Sequence, residues 1–405
     1  MAFHGLSLAP LNRIPVLSDI NRSKGRGGHF FLKGFSSMSH TDPPVVSVHP
    51  SRAMVDEAFK VQVENLPPGS PVTLHSLHQS EDKHYWEAFG HYVSDHRGTV
   101  SDDLSCGGTY TGKEAMGLMW SMRPVPGSRE GLRLRKLNVC IPQLVNISVY
   151  SGHVGGGFRE QDLLASALTE RWYMAPGVRR IDIKEKGVRG TLFIPHAFNI
   201  VRDHPQVMSD RVGLFGLSLG SIVSISLAAW SSVPRCCVCI SGNHTHARGG
   251  TIGGVFNEFF KNLHKVRMDE NNYEIWRGMG LPIPDDISQK VDVGKISCPI
   301  LLVNGDDDQN WPTVECAEDM AQMMRAAGNE HLLTRLEYPD AGHLIEPPYS
   351  PHFRATKFRK DGQKVILLWG GTTKPHSDAQ EDSWKKILAF LQQNMYSSSG
   401  PRAKL

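Results

Sequence analysis

The chain has 405 residues, of which 40% are hydrophobic and 21% are charged, and its formal net charge is +3. This length predicts two or three domains, and the balanced charge gives no reason to expect nucleic acid or an anionic membrane as the main partner. Seven cysteines without paired CxxC spacing argue against a disulfide framework and are typical of reduced thiols inside a cell.

Residues 1–43 are predicted to be a targeting or disordered extension. Within the first 40 residues, basic side chains and serines accompany a single acid, Asp19, a composition typical of a mitochondrial transit peptide. Pro10, Pro15 and several glycines interrupt any long amphipathic helix, so a disordered extension is the alternative.

Residues 44–185 are predicted to form an all-β sandwich. Short alternating runs are separated by turn signals such as "PPGSP", a spacing typical of this architecture. The strand candidates are "AFKVQVENL", "PVTLHSL", "LRKLNVCI" and "NISVYSG". The stretch "RWYMAPGVRR" contains the turn signal Pro176-Gly177 and is predicted to be the boundary to the next domain.

Residues 186–398 alternate between strands and helices, which predicts an α/β fold with a mainly parallel sheet covered on both faces. Helices are expected over Leu219–Trp230, Thr313–Ala327 and Asp378–Met395. The predicted strands are "RGTLFIP", "RVGLFG", "CCVCISG", "PILLVNG", "TRLEYP" and "KVILLWGG".

Two apolar stretches allow other interpretations. The uncharged run from Gly213 to Trp230 is long enough to suggest a membrane span, but its Gly and Ser interruptions favour a buried strand followed by a helix. Cys236, Cys237 and Cys239 have no matching second ligand pair, so buried strand thiols are favoured over metal ligands. No membrane span, metal or cofactor is therefore predicted.

The pentapeptide Gly216-Leu217-Ser218-Leu219-Gly220 fits the pattern G-x-S-x-G, which holds a serine at a sharp turn between a strand and a helix. Glycine is expected at 216 and 220 because a side chain at either position would clash with neighbouring backbone. Ser218 would lie at a helix N-terminus, where the backbone N–H of Leu219 donates to a developing oxyanion. A plain strand–helix turn is the alternative.

A serine nucleophile needs a base, and the base needs an acid that orients it. In α/β-hydrolases these residues follow in the order Ser, Asp or Glu, His. Asp306, Asp307 and Asp308 end one predicted strand, and His343 follows the next. This order favours a catalytic triad over an accidental set of loop residues, but spacing alone leaves the choice among the three aspartates open.

The chain resembles the family of type-I acyl-CoA thioesterases and bile acid-CoA:amino acid N-acyltransferases over nearly everything after residue 44. The segments that carry the resemblance are "GGTYTGKEAMGLMWSM", "ERWYMAPGVRRIDI", "GLFGLSLGS", "LLVNGDDDQNW", "YPDAGHLIEPPYSP", "WGG" and "AQEDSWKKILAFL". The resemblance implies a β-sandwich followed by an α/β-hydrolase domain. It also implies a triad of Ser218, Asp308 and His343, with Asp308 chosen through the Asn-Trp that follows it.

The resemblance further implies a fatty acyl-CoA or bile acyl-CoA substrate. Ser218 would take the acyl group as an ester, which water releases as a free acid or an amine such as glycine or taurine releases as an amide. Amide-forming family members typically carry cysteine at this position, and an acyl-serine ester is less reactive toward amines than a thioester. Ser218 therefore favours hydrolysis over the N-acyltransferase alternative. A catalytically inactive binding protein is the third possibility.

The chain departs from the family pattern before the elbow strand. Only residues 196–211 follow "GTLFIP" there, where the family has several dozen residues forming two strands, their helices and a Gly-rich oxyanion loop. Sixteen residues allow one crossover with a short helix, "AFNIVRDHP". We expect a shortened hydrolase domain in which "GTLFIP" lies beside the elbow strand or the sheet is defective, and in which activity is impaired.

The last residues resemble a targeting signal. Ala403-Lys404-Leu405 is a close variant of the Ser-Lys-Leu peroxisomal signal, within a flexible tail predicted over residues 399–405. The peroxisomal import receptor is therefore an expected partner. The peroxisome is the favoured compartment, with the mitochondrion and cytoplasm as alternatives.

Overall fold

The computed structural model describes residues 42–101, 104–176, 178–185, 188–194, 212–245, 259–360 and 363–396. The described part of Asp42–Leu405 forms one compact unit. The predicted extension up to residue 41, the crossover helix "AFNIVRDHP" and the predicted C-terminal tail lie outside the described residues.

The first part of the chain contains two β-sheets and one short helix, α1 (Gly117–Trp120). Its strands are β1 (Val45–His49), β2 (Arg52–Met54), β3 (Lys60–Glu64), β4 (Pro71–Gln79), β5 (Tyr85–Val93), β6 (Val100–Ser101), β7 (Arg123–Pro124), β8 (Gln143–Ser151) and β9 (Leu163–Trp172). They pair in the orders β1-β3-β6 and β2-β9-β8-β4-β5-β7. All pairs are antiparallel except β2 with β9.

Side chains from both sheets form one buried core, as a β-sandwich requires. Val63 of the smaller sheet and Leu74, Trp86 and Ile147 of the larger one belong to the same apolar cluster. Phe353, from a segment far along the chain, joins this cluster and packs edge-on against Trp86 at 5.6 Å. The predicted sandwich is confirmed, and its core includes a residue from the second half of the chain.

One predicted strand is wrong: "LRKLNVCI" is an irregular segment. The carboxylate of Glu81 explains why, since it accepts the backbone N–H groups of Leu137 (3.1 Å) and Asn138 (2.9 Å) and the ammonium of Lys136. A side chain therefore satisfies these backbone groups, where a neighbouring strand would do so in a sheet.

The described residues of the second part of the chain form ten strands and three longer helices. The strands are β10 (Arg179–Glu185), β11 (Val188–Ile194), β12 (Val212–Leu217), β13 (Pro234–Ile240), β14 (Arg267–Met268), β15 (Glu274–Ile275), β16 (Ile300–Gly305), β17 (Leu333–Tyr338), β18 (Ala355–Lys360) and β19 (Gln363–Leu368). The helices are α2 (Leu219–Trp230), α3 (Thr313–Ala326) and α4 (Thr373–Tyr396). Short 3-10 turns occur at Glu160–Asp162, Leu263–Lys265, Arg277–Gly280, Ile287–Gln289, Val293–Lys295 and Glu330–Leu332.

Four strands form a parallel sheet in the order β12-β13-β16-β17. Cys239 and Leu302 point to the face that packs against α2 and α3, whereas Val238 and Leu301 point to the face covered by α4. Helices thus cover both faces, as predicted for an α/β-hydrolase sheet.

Two predicted members of this sheet lie elsewhere. β11, which contains "RGTLFI", forms an antiparallel hairpin with β10, and β19, which contains "KVILL", pairs antiparallel with β18 and parallel with β15. In each hairpin only two residues separate the strands, Lys186-Gly187 and Asp361-Gly362, and loops this short join antiparallel neighbours. Both two-residue separations contain a glycine, which is a turn signal in the sequence.

The elbow strand β12 consequently lies at the edge of the parallel sheet. Among the described strands, β13 is its sole partner, and Val212 and Phe215 are about half exposed. The expectation that "GTLFIP" lies beside the elbow strand is therefore wrong for the described residues, because that segment is paired with β10.

The described residues contain no helix long and apolar enough to cross a membrane, and no cluster of side chains suited to hold a metal ion. Cys236, Cys237 and Cys239 are fully buried free thiols on β13, which confirms their interpretation as strand residues.

Candidate active site

Ser218 occupies a strained turn between β12 and α2. Its φ of 55° is unusual for a residue with a side chain and typical of functional sites. A Cβ at Gly216 would lie 2.3 Å from the carbonyl oxygen of Gly220, so glycine at 216 is required. At Gly220, which is exposed in the first turn of α2, an added Cβ would meet nothing within 4 Å. The predicted clash at 220 is therefore wrong.

The structure brings three predicted side chains into a hydrogen-bonded row. The Nε2 of His343 lies 2.7 Å from the Oγ of Ser218, and its Nδ1 lies 2.7 Å from the Oδ2 of Asp308. The His343 and Asp308 side chains are fully buried, whereas Ser218 is half-buried. This geometry lets the imidazole accept the serine proton while the carboxylate fixes its orientation.

Asp308 is held by four hydrogen bonds. Its Oδ1 accepts the backbone N–H groups of Asn310 (2.8 Å) and Trp311 (2.9 Å), and its Oδ2 accepts from the hydroxyl of Thr313 (3.3 Å) as well as from His343. These donors compensate the loss of hydration of a buried carboxylate. They also fix the oxygen that faces the imidazole.

The two neighbouring aspartates have other contacts. Asp306 is exposed and accepts the N–H of Asp340. Asp307 accepts the N–H of Gly371 (2.7 Å) and a guanidinium N–H of Arg354 (3.0 Å). Burial raises the pKa of Asp307, but these donors, together with the amide of Gln309 and the charge of Arg354, outweigh it, so its pKa lies below the ordinary value. Asp306 is a solvated turn residue and Asp307 is structural, while only Asp308 faces His343.

Two tryptophans flank His343, and neither was predicted to be a site residue. Trp369 stacks on the imidazole at 5.6 Å between ring centroids, and Trp311 meets it edge-on at 5.4 Å. The main chain of His343 is also bound, since its N–H donates to the carbonyl of Trp369 and its carbonyl accepts from the hydroxyl of Ser241. Both tryptophans belong to segments, "NGDDDQNW" and "WGG", that already stood out in the sequence.

The surroundings of the elbow are apolar. Leu217 and Leu219, on either side of Ser218, pack against one buried cluster. The cluster comprises Ile222, Phe259, Trp276, Met279, Trp311, Leu344, Leu367 and Trp369. These apolar surroundings suit an apolar group better than a charged one.

Leu219 is the first residue of α2, and N–H groups in the first turn of a helix have no acceptor within the helix. The role of its N–H as an oxyanion donor beside the Ser218 hydroxyl stays a prediction. The Gly-rich loop of the second oxyanion donor is predicted to be missing after Pro195, and residues 195–211 lie outside the described residues.

A serine on the elbow of a parallel sheet, bonded to a histidine that is bonded to a buried aspartate, defines the α/β-hydrolase class of enzymes. Residues 193–397 match the C-terminal model of the BAAT/acyl-CoA thioester hydrolase family, and residues 56–185 match its N-terminal region. The chain belongs to this family.

Curated relatives cover most of the chain. A peroxisomal succinyl-coenzyme A thioesterase from Mus musculus is 30% identical, with 87% of this chain and 97% of the relative aligned. Acyl-coenzyme A thioesterase 1 from Rattus norvegicus is 29% identical over 86% and 96%. The mitochondrial acyl-coenzyme A thioesterase 2 from the same rat species is 28% identical over 86% and 89%.

Proposed function

We propose that the protein hydrolyses acyl-CoA thioesters to a carboxylic acid and coenzyme A through an acyl ester on Ser218. The observation that carries this proposal is the row of Ser218, His343 and Asp308, with both contacts at 2.7 Å. The relatives named acyl-coenzyme A thioesterases support the substrate class.

In the first half-reaction, the Oγ of Ser218 attacks the thioester carbonyl while Nε2 of His343 accepts its proton. The carboxylate of Asp308 stabilises the imidazolium that forms. The C–S bond then breaks, His343 returns the proton to the sulfur, and coenzyme A leaves as a thiol. In the second half, His343 deprotonates a water that attacks the ester, and the carboxylic acid leaves as Ser218 regains its proton.

We also propose that turnover is impaired relative to the family. The N–H of Leu219 would be one oxyanion donor, and losing a second costs on the order of 10²–10³ in kcat. The alignment with the mouse relative runs over 425 positions, more than the 405 residues of this chain, although it covers only 87% of the chain. That relative therefore has internal residues without a counterpart here, and the edge position of β12 agrees with their loss.

The acyl group is proposed to be an apolar fatty acyl chain. The leucines on either side of Ser218 pack against an aromatic and aliphatic cluster, which favours burial of methylene groups. A bile acyl group is also apolar and would suit the same surroundings.

Intact-mass spectrometry of the chain mixed with a long-chain acyl-CoA tests the mechanism. We expect an acyl adduct and release of coenzyme A, both abolished by Ser218→Ala and retained by Ser226→Ala on the same helix. Amide formation that depends on added glycine or taurine would instead support the acyltransferase. Neither adduct nor thiol release in the unmodified chain would contradict the proposal and support a binding protein.

Residues 44–185 are proposed as the sandwich domain and 186–398 as the catalytic domain, with 1–43 as an extension. For the compartment, the names of the relatives support a peroxisome or a mitochondrion, and we favour the peroxisome. Microscopy of a chain with an N-terminal fluorescent protein should show peroxisomes, and removal of Ala403-Lys404-Leu405 should abolish this pattern. A mitochondrial pattern from a chain tagged at its C-terminus would favour the alternative.

A further inference from the structure

A second buried histidine contacts the loop that carries His343. His376 lies in the first turn of α4 and is 2% exposed. The N–H of Gly342 donates to its Nδ1 at 3.0 Å, and its Nε2 lies 2.9 Å from the carbonyl oxygen of Leu344. One ring therefore bonds to the residues immediately before and after His343.

The two partners allow only one form of this ring. A backbone N–H can only donate and a carbonyl can only accept, so the imidazole of His376 must be neutral with its proton on Nε2. Burial, and then the ring of His352 at 4.6 Å, lower the pKa of His376 to about 3. The ring consequently keeps both hydrogen bonds at neutral pH.

We infer that His376 is a positioning residue that holds the main chain of His343 so that its imidazole reaches Ser218, an inference that rests on the hydrolysis proposed above. The backbone of His343 is also bound to Trp369 and Ser241, and His376 adds hydrogen bonds to the residues on either side of it in the chain. A displacement of about 1 Å at a reacting group can lower the rate on the order of 10²-fold.

The test compares His376→Ala with two variants that each keep one bond. Asparagine offers an acceptor near the position of Nδ1, and glutamine offers a donor near the position of Nε2. We expect His376→Ala to lower kcat on the order of 10²-fold with little change in KM, and His376→Asn and His376→Gln to recover part of the loss. The labelling rate of Ser218 by a fluorophosphonate should fall in parallel, since it depends on the same base.

A matched control is His78→Gln, which alters a buried histidine bonded to the backbone carbonyl of Leu144 in the sandwich. We expect this variant to keep kcat. Circular dichroism and thermal unfolding identify folded variants. A folded His376→Ala with unchanged kcat and labelling rate would overturn the inference.

A measurement that needs no turnover separates this inference from the proposed function. The proton on Nδ1 of His343, bonded to Asp308, gives a far-downfield resonance in NMR spectra of histidine-labelled protein. We expect the unmodified chain to show it and His376→Ala to shift or lose it. If the resonance is present but acyl-CoA is not hydrolysed, the proposed function fails. The inference about His376 is then still tested by whether His376→Ala shifts or removes the resonance. Absence of the resonance in the unmodified chain would overturn both.

Discussion

The Oδ2 of Asp308 lies 2.7 Å from the Nδ1 of His343, and neither side chain is exposed to solvent. Two backbone N–H groups bind the other oxygen of the same carboxylate, so the acid cannot rotate without losing them. The orientation of the imidazole toward Ser218 is thus fixed by the loop after β16.

Substitution of each aspartate in that loop by asparagine should have a different effect. Asp308→Asn should lower kcat by about 10⁴, the size found when a triad aspartate is replaced by its amide. Asp307→Asn should lower stability, because it weakens the bond to Arg354, and Asp306→Asn should change neither property. Steady-state kinetics and thermal unfolding of all three variants check this. An equal loss of kcat in Asp306→Asn would show that the assignment to Asp308 is wrong.

The two glycines of the elbow should differ in their tolerance of alanine. Gly216→Ala forces a Cβ to within 2.3 Å of backbone and should reduce both the thermal midpoint and the labelling of Ser218. Gly220→Ala meets open space in a helix, where alanine is favoured over glycine by about 1 kcal/mol. It should keep activity and slightly raise the midpoint. Equal damage from both substitutions would contradict this account of the turn.

Replacement of the nucleophile by cysteine should change the acyl acceptor. In Ser218→Cys the intermediate is a thioester, which amines attack readily relative to water. With glycine or taurine present, the fraction of amide among the products should therefore rise above that of the unmodified chain, as measured by mass spectrometry. An unchanged fraction would mean that the pocket, rather than the nucleophile, selects the acceptor.

Stability should decrease as the pH falls below 6.5. Burial lowers the pKa of His376, His352 and His244 below their ordinary value of 6.5. Below that pH the unfolded chain binds protons that the folded chain does not, so the free energy of unfolding declines with falling pH. Denaturant unfolding at several pH values measures the slope. His376→Gln should reduce it by up to about 1.4 kcal/mol per pH unit, and an identical slope would contradict the buried neutral ring.

Acyl selectivity should favour apolar chains. Leu217, Leu219 and the buried cluster behind them make the surroundings of Ser218 apolar, and a second carboxylate would lose hydration there. The ratio kcat/KM should therefore be higher for a long-chain acyl-CoA than for succinyl-CoA. A higher kcat/KM for succinyl-CoA would contradict this prediction and would match the substrate in the name of the mouse relative.

The sequence predicted the parts of the site that depend on short-range geometry. The glycine before Ser218 and the helix after it follow from a local turn, and the order of the three residues follows from parallel strand topology. The choice of Asp308 needed family resemblance, because the partners that distinguish the three adjacent carboxylates meet them only once the chain is folded. His376 and Trp369 could not be found this way, since distant segments bring them to His343.

The wrong predictions about the fold have local causes. Strand composition predicted β11 and β19 correctly as strands but not their partners, which follow from the separation of only two residues between β10 and β11 and between β18 and β19. The segment "LRKLNVCI" has strand-like composition, yet Glu81 binds its backbone from elsewhere in the sequence.

Phe353 joins the segment that follows His343 to the core of the N-terminal sheets. It lies ten residues after His343 in the sequence, and its ring is anchored among side chains that the first 150 residues supply. Arg133 adds an ion pair to Glu346 (2.6 Å) within the same connecting stretch. A fragment without the sheets would leave this stretch untethered, so the proposed hydrolase portion should not function when excised from the rest.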